Sequence, residues 1–126
     1  MSPAAKSLFA FGIYAVAAGT GLLLVPGLVL GTLGFPPAQD GWVRVVGVLA
    51  IVVGAYHIVG ARNNLLPYIR ASVWGRIAFA LLLGSLVVAS VMPTPLLLFA
   101  AIDLAAAVWT AIALRPPEAA GARRPG

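Results

Sequence analysis

The sequence contains no cysteine, one histidine and few charged residues. Only 9% of its 126 residues are charged, whereas soluble domains carry about 25%. The missing cysteines exclude disulfides and thiolate metal sites. One histidine and three acidic residues are too few ligands for a typical protein metal site. We therefore predict neither a metal nor a cofactor.

Apolar residues make up 62% of the chain, and its mean hydropathy is +1.06. A chain this short cannot hide so much apolar surface in one soluble core, because small domains bury the smallest share of their surface. The composition therefore predicts an integral membrane protein with one domain.

Four apolar runs predict four membrane-spanning helices. Each run is about 20 residues long, which is enough to cross the hydrocarbon core as a helix. Helices are required because lipid cannot satisfy unpaired backbone groups. The first run follows Lys6 like a signal peptide, but cleavage would leave a remnant too short to span, so we predict an uncleaved helix. The predicted helices cover about 7–25, 42–61, 72–92 and 95–114.

The predicted fold is thus all-α, an integral membrane four-helix bundle over residues 1–115. Residues 116–126 have no apolar periodicity and are expected to form a flexible cytoplasmic tail. The segment 26–41, "PGLVLGTLGFPPAQDG", leaves two interpretations. It either lies along the outer interface and folds back over the bundle, or it extends the first helix raggedly.

The basic residues predict the orientation of the bundle. With four spans, both termini and the loop between the second and third spans share one side, and only Arg44 lies on the other. This bias places both termini in the cytoplasm, and it explains the net charge of +5 without nucleic acid. The basic residues on the side of the termini are Lys6, Arg62, Arg70, Arg76, Arg115, Arg123 and Arg124.

Small residues mark the helix faces that are expected to pack together, since close helix contacts in lipid favour them. In the second span Gly47 and Gly54 share one stripe with His57. In the fourth span the equivalent stripe carries Asp103 and Thr110 between alanines. The periodicity therefore predicts that these three polar side chains face the bundle interior.

Asp103 lies in the middle of the fourth span, "LLLFAAIDLAAAVWTAIAL". An ionised carboxylate at the membrane centre costs at least about 2.5 kcal/mol, so it must pair, stay protonated or contact water. Arg44 from the outer side and Arg76 from the cytoplasmic side are the two candidate partners, with Arg44 slightly favoured. A buried ion pair and a proton-linked or ligand-binding site both remain open.

Four polar residues are predicted at a common depth, close to the cytoplasmic end of the bundle. His57, Tyr14, Arg76 and Thr110 could line a polar pocket open to the cytoplasm, or the histidine could simply be hydrogen-bonded near its helix end. In the loop "ARNNLLPYIR" that follows, Asn63 and Asn64 suit a helix C-cap and Pro67 a turn.

The layout resembles a known group of proteins. The strings "WVRVVGVLAIVVGAYH", "VWGRIAFALLLG" and "AIDLAAAVWTAIALR" look like those of the small four-helix bacterial inner-membrane proteins of the DoxX-like and BphX-like type. This resemblance covers residues 7–115. It implies an accessory or lipophile-handling role in the inner membrane and carries over no catalytic residue.

Three functions follow as alternatives. The first is a non-enzymatic membrane protein that binds a lipophilic or lipid-like molecule within the bundle, or acts as an accessory. The second is a small proton-coupled transporter, a homodimer, that uses Asp103. The third is a membrane enzyme built on His57, Tyr14 and Arg76, which ranks last because the chain has no recognised triad, metal set or phosphate loop. Membrane lipids, a lipophilic small molecule, a second copy or another membrane protein are the expected partners.

Overall fold

The computed structural model describes residues 1–37 and 41–115, which form five helices and no strand. Four of the helices are long and apolar enough to span a membrane, with mean hydropathies of 1.8 to 2.2. The prediction of an all-α membrane helix bundle is therefore confirmed, and the chain is a small multi-pass membrane protein. The helices are α1 (Pro3–Leu24), α2 (Pro26–Leu33), α3 (Trp42–Arg62), α4 (Leu66–Val88) and α5 (Leu96–Ala113).

The third predicted span is shifted along the chain. Helix α4 begins at Leu66 rather than Ser72 and ends at Val88 rather than Met92. Pro67 lies in its first turn, where the missing N–H is no loss, so the turn expected at Pro67 is wrong. The expected cap is confirmed, because Asn63 is the C-cap of α3 and Asn64 takes the left-handed conformation with φ 49°.

The segment after α1 forms a short separate helix. Val25 leaves the helical region at φ −136° and ψ 57°, and Pro26 then opens α2. Gly34 ends α2 with φ 85°, a conformation that favours glycine. The chain then folds back over the bundle, and the Phe35 ring lies 6.1 Å from that of Phe99 in α5. Predictions for residues 38–40 and for the tail 116–126 fall outside the described residues.

The four long helices alternate in direction, so the bundle has two ends. We call the end that holds Pro3, the α3–α4 loop and Ala113 the terminal face, and the other end the opposite face. Helix α1 packs against α3 and α5, and α5 packs against α4. Helices α3 and α4 make few contacts with each other, so the ring α3–α1–α5–α4 is not closed.

Glycines bring α1 and α3 into backbone contact. A Cβ on Gly19 would lie 2.5 Å from the carbonyl oxygen of Gly47, and one on Gly47 would lie 2.6 Å from that of Gly19. Gly12 and Gly54 form the same reciprocal pair at 2.9 and 2.8 Å. The stripe of small residues predicted for the second span therefore faces α1, as expected for close helix packing in lipid.

The terminal face is closed by a small apolar cluster. Ala5 and Leu8 of α1 meet Ala61 of α3 and Ile69 of α4, and all four side chains are buried. The Ser2 backbone N–H donates to Oδ1 of Asn64 at 3.0 Å, which ties the N-terminus to the α3–α4 loop. This end of the bundle is the part where α3 and α4 do meet.

Candidate functional site

A cavity of about 920 Å³ lies between α3 and α4. Helices α1 and α5 form its floor. The segment after α2 and the connection between α4 and α5 close its end at the opposite face. Ligand pockets in proteins have volumes of about 300 to 1,000 Å³, and this volume lies within that range. Because α3 and α4 do not close over it, the cavity faces the surroundings of the bundle sideways.

Polar side chains are confined to one end of the cavity. The walls toward the opposite face are apolar, with residues such as Leu49, Phe79 and Leu83. The end nearer the terminal face holds the polar lining residues Tyr14, His57, Ser72, Arg76 and Asp103. The cavity is thus amphipathic along its length.

Arg76 lies at the polar end and is only 4% exposed. Its Nε donates to the Ser72 carbonyl at 3.1 Å, and its Nη2 donates to Ser72 Oγ at 3.2 Å and to Thr110 Oγ1 at 2.9 Å. The Phe11 ring centre lies 5.0 Å from Cζ of the guanidinium, a cation–π distance. Within the described part of the chain, the buried Nη1 has no hydrogen-bond partner.

Two hydroxyls connect this arginine to α1. Ser7 Oγ and Thr110 Oγ1 lie 2.6 Å apart, and both side chains are fully buried. The predicted site residue Thr110 therefore accepts a hydrogen bond from Arg76 and also contacts Ser7. It is not among the residues that line the cavity.

His57 also has a defined hydrogen-bond partner. Its Nδ1 lies 2.7 Å from the Tyr68 hydroxyl, and its ring lies 5.7 Å from that of Phe11. This contact connects α4 to α3 at the end of the cavity nearer the terminal face.

Asp103 is 8% exposed and lines the cavity opposite Arg76. It interacts electrostatically with Arg76 and with Tyr14. Over residues 1–37 and 41–115, however, its carboxylate accepts no hydrogen bond and lies more than 4.0 Å from every basic nitrogen. The carboxylate and the guanidinium are therefore neighbours in the same cavity but not a direct ion pair.

Arg44 does not approach Asp103. Its side chain is exposed near the opposite face, and its Nη1 donates to the Leu23 carbonyl in the last turn of α1. The slight preference for an Arg44–Asp103 pair was therefore wrong. The carbonyls of the last turn of α1 have no partner within their own helix, and this donor satisfies one of them.

The direction in which the polar pocket opens also differs from the expectation. The lining ends at Phe11, His57 and Ser72, and beyond them the apolar cluster of the terminal face is packed. The cavity instead continues toward the opposite face and sideways between α3 and α4. Of the predicted site residues, the structure brings together Tyr14, His57, Arg76 and Asp103 around it, places Thr110 behind it and leaves Arg44 outside.

Sequence reasoning missed Ser7, Ser72, Tyr68 and Phe11 as parts of this site. One signal was available for Ser72, because it lies four residues before Arg76 on the same helix face. The same spacing was available for Tyr68, which lies four residues before Ser72 on that helix. Ser7 and Phe11 lie on α1, and no spacing within one helix relates them to Arg76 or His57.

Comparison of the chain with models of protein families, with curated proteins and with solved structures finds no match. The resemblance to the DoxX-like and BphX-like group therefore stays a prediction. The class that the fold itself defines is that of a small multi-pass membrane protein with four candidate spanning helices.

Proposed function

We propose that this membrane protein binds a lipophilic molecule in the cavity between α3 and α4 and acts as a non-enzymatic binding or accessory protein. The observation that carries the proposal is the amphipathic cavity of about 920 Å³, with apolar walls and polar groups at one end. An apolar pocket with a few convergent polar groups is the usual form of a small-molecule site.

The open side of the bundle supports access from the lipid. A molecule dissolved in the hydrocarbon core reaches the cavity between α3 and α4 without crossing water. The apolar side chains on the cavity wall then contact its chain, and the groups around Arg76 contact its polar end.

The proposal is tested by filling the cavity from α4. Gly75 lines the cavity, and a Cβ placed there meets no described atom within 4 Å. We expect Gly75→Leu to fold normally and to lower binding of tetradecanol and tetradecanoic acid by about tenfold or more, because the new side chain occupies the space of the alkyl chain. Native mass spectrometry of the purified full chain measures the bound fraction of both probes.

Gly84→Leu is the matched control. It makes the same change in the same helix, its Cβ also meets no described atom within 4 Å, and Gly84 does not line the cavity. It should bind both probes like the wild type. If Gly75→Leu binds them as well as Gly84→Leu does, the cavity is not the binding site.

We propose further that both termini face the cytoplasm, in the inner membrane of a bacterium. The supporting observation is that Lys6, Arg62, Arg70 and Arg115 belong to the terminal face, whereas Arg44 lies near the opposite face. A fluorescent-protein fusion at the C-terminus should be fluorescent, and an alkaline phosphatase fusion there inactive. The reverse result would overturn this orientation.

A second candidate function is a proton-coupled transporter that uses Asp103. It is favoured by the position of this carboxyl in the cavity, buried and without a direct ion pair among the described residues. Such a carrier requires a group that gains and loses a proton, so Asp103→Asn should abolish proton-coupled flux in liposomes while the protein stays folded. Wild-type liposomes that show no such flux would exclude it.

A further inference from the structure

The polar end of the cavity carries one donor group and one acceptor group that the protein itself does not pair. Arg76 has five N–H groups, and three of them are donated to Ser72 and Thr110. The remaining two are on Nη1, which has no partner in the described part of the protein. Nη1 is fully buried, so a ligand in the cavity meets the positive charge of the guanidinium and makes no direct hydrogen bond with this nitrogen.

Asp103 supplies the complementary acceptor. Its carboxylate lines the same cavity, and no described side chain or backbone group donates to it. A carboxylate accepts hydrogen bonds and does not donate them. A ligand head group that contacts Asp103 must therefore donate a hydrogen bond to it.

The charges around the head group restrict it further. The guanidinium and the carboxylate carry opposite charges, and together they are neutral. An additional charge in this buried place would have no counter-charge of its own, and burying an uncompensated charge is far more costly than burying a hydrogen-bonded neutral group. An uncharged head group is therefore favoured over a carboxylate, a phosphate or an ammonium group.

We infer that the cavity selects an uncharged lipophile that ends in a hydroxyl group, which donates a hydrogen bond to Asp103 beside the Arg76 guanidinium. A hydroxyl is a small neutral group that carries such a donor. The alkyl chain then lies along the apolar wall toward the opposite face. Along α4, this wall runs from Arg76 to Leu86, about 15 Å along the helix axis. The inference rests on the proposed function and names the ligand class of the same site.

The test compares three probes of equal chain length on the purified full chain by native mass spectrometry: tetradecanol, tetradecanoic acid and methyl tetradecyl ether. The acid brings a charge, and the ether accepts but cannot donate. The alcohol should be bound about tenfold more than either, since each competitor lacks one favourable interaction with a charged group. Equal or stronger binding of the acid or the ether would overturn the inference.

A substitution assigns the preference to Asp103. Asp103→Leu has a similar size but no hydrogen-bond acceptor, so the alcohol loses the partner of its hydroxyl and its advantage over the ether disappears. Arg44→Gln is the control, because Arg44 lies outside the cavity, and it should keep the preference of the wild type. A preference that survives in Asp103→Leu would contradict the role given to this carboxylate.

The outcomes separate this inference from the proposed function. If no probe binds, or if Gly75→Leu leaves binding unchanged, the cavity is not a lipophile site and the proposed function fails. If the probes bind, Gly75→Leu blocks them and the alcohol is not preferred, the cavity is a lipophile site and only the hydroxyl selectivity is wrong.

Discussion

Helix α3 has two neighbours in the bundle, and it meets them in opposite ways. Against α1 the backbones touch, and a Cβ on Gly19 would lie 2.5 Å from a carbonyl oxygen of α3. Across the cavity, a Cβ on Gly75 of α4 would meet no described atom within 4 Å. A glycine in a spanning helix therefore serves close packing in one place and leaves space in the other.

The difference follows from what faces each glycine. On the α1–α3 side the glycines come in reciprocal pairs, Gly12 with Gly54 and Gly19 with Gly47, so both backbones can approach. On the α3–α4 side Gly75 is followed by Arg76, and large side chains such as Phe79 and Leu49 stand on the walls. These two helices are connected by the hydrogen bond between His57 and Tyr68 near their loop.

The largest effect is expected from disrupting the close contact between α1 and α3. Gly19→Ala places a methyl group against backbone atoms of α3 that cannot move aside, and overpacking of this kind costs about 3 kcal/mol. Unfolding in mixed detergent micelles, followed by circular dichroism, measures the loss. Gly84→Ala is the control, because a Cβ at Gly84 would meet no described atom within 4 Å. Equal losses of stability in the two variants would contradict the close contact between Gly19 and α3.

The next largest effect is expected at Arg76. Arg76→Gln loses the buried hydrogen bond to Thr110 that joins α4 to α5 and the bonds to Ser72 within α4, and we expect a loss of about 2 kcal/mol in the free energy of unfolding. Arg44→Gln removes one exposed contact and should change it by about 0.5 kcal/mol or less. Equal losses in the same unfolding assay would mean that Arg76 does not hold the bundle together.

A smaller effect is expected from removing the hydrogen bond between His57 of α3 and Tyr68 of α4. Tyr68→Phe removes the hydroxyl that lies 2.7 Å from His57 Nδ1, at a cost of about 1 kcal/mol. Tyr56→Phe makes the same change on α3 at a side chain that is 62% exposed, and it should be neutral. A neutral Tyr68→Phe would show that the apolar contacts of the terminal face, and not this hydrogen bond, hold the two helices together.

The smallest effect is expected in the cavity wall and has the opposite sign. Gly75→Ala adds a methyl group into open space and reduces the freedom of the unfolded chain, so a gain of about 0.5 kcal/mol is expected. Thermal unfolding of Gly75→Ala beside Gly19→Ala measures the contrast directly. A clear destabilisation by Gly75→Ala would indicate that α4 packs closer to α3 than the cavity allows.

Periodicity within single helices predicted the inward faces well. Gly47, Gly54 and His57 in α3, and Asp103 and Thr110 in α5, are buried as their stripes of small residues indicated. The start of α4 was predicted too late, because Arg70 and the polar residues before it interrupt the apolar run although they still belong to the helix or its cap. Hydropathy measures suitability for the hydrocarbon core and not helical conformation.

The partners of the polar residues could not be predicted in the same way. Depth in the membrane placed both arginines within reach of Asp103, but Arg44 bonds Leu23 and Arg76 bonds Ser72 and Thr110. Which helices are neighbours, and how each is rotated about its axis, depends on contacts between residues far apart in the chain. A stripe on one helix identifies an inward face and does not identify what stands opposite.

The sequence by itself determined that this protein spans a membrane with four helices, because the length and apolarity of each run leave the backbone no other way to satisfy its hydrogen bonds in lipid. It also determined that Asp103 faces inward, through the small residues around it. Only the tertiary structure decided that α1 and α3 close tightly while α3 and α4 stay apart, since that depends on which glycines meet across an interface. The cavity between α3 and α4 is a consequence of that unequal packing.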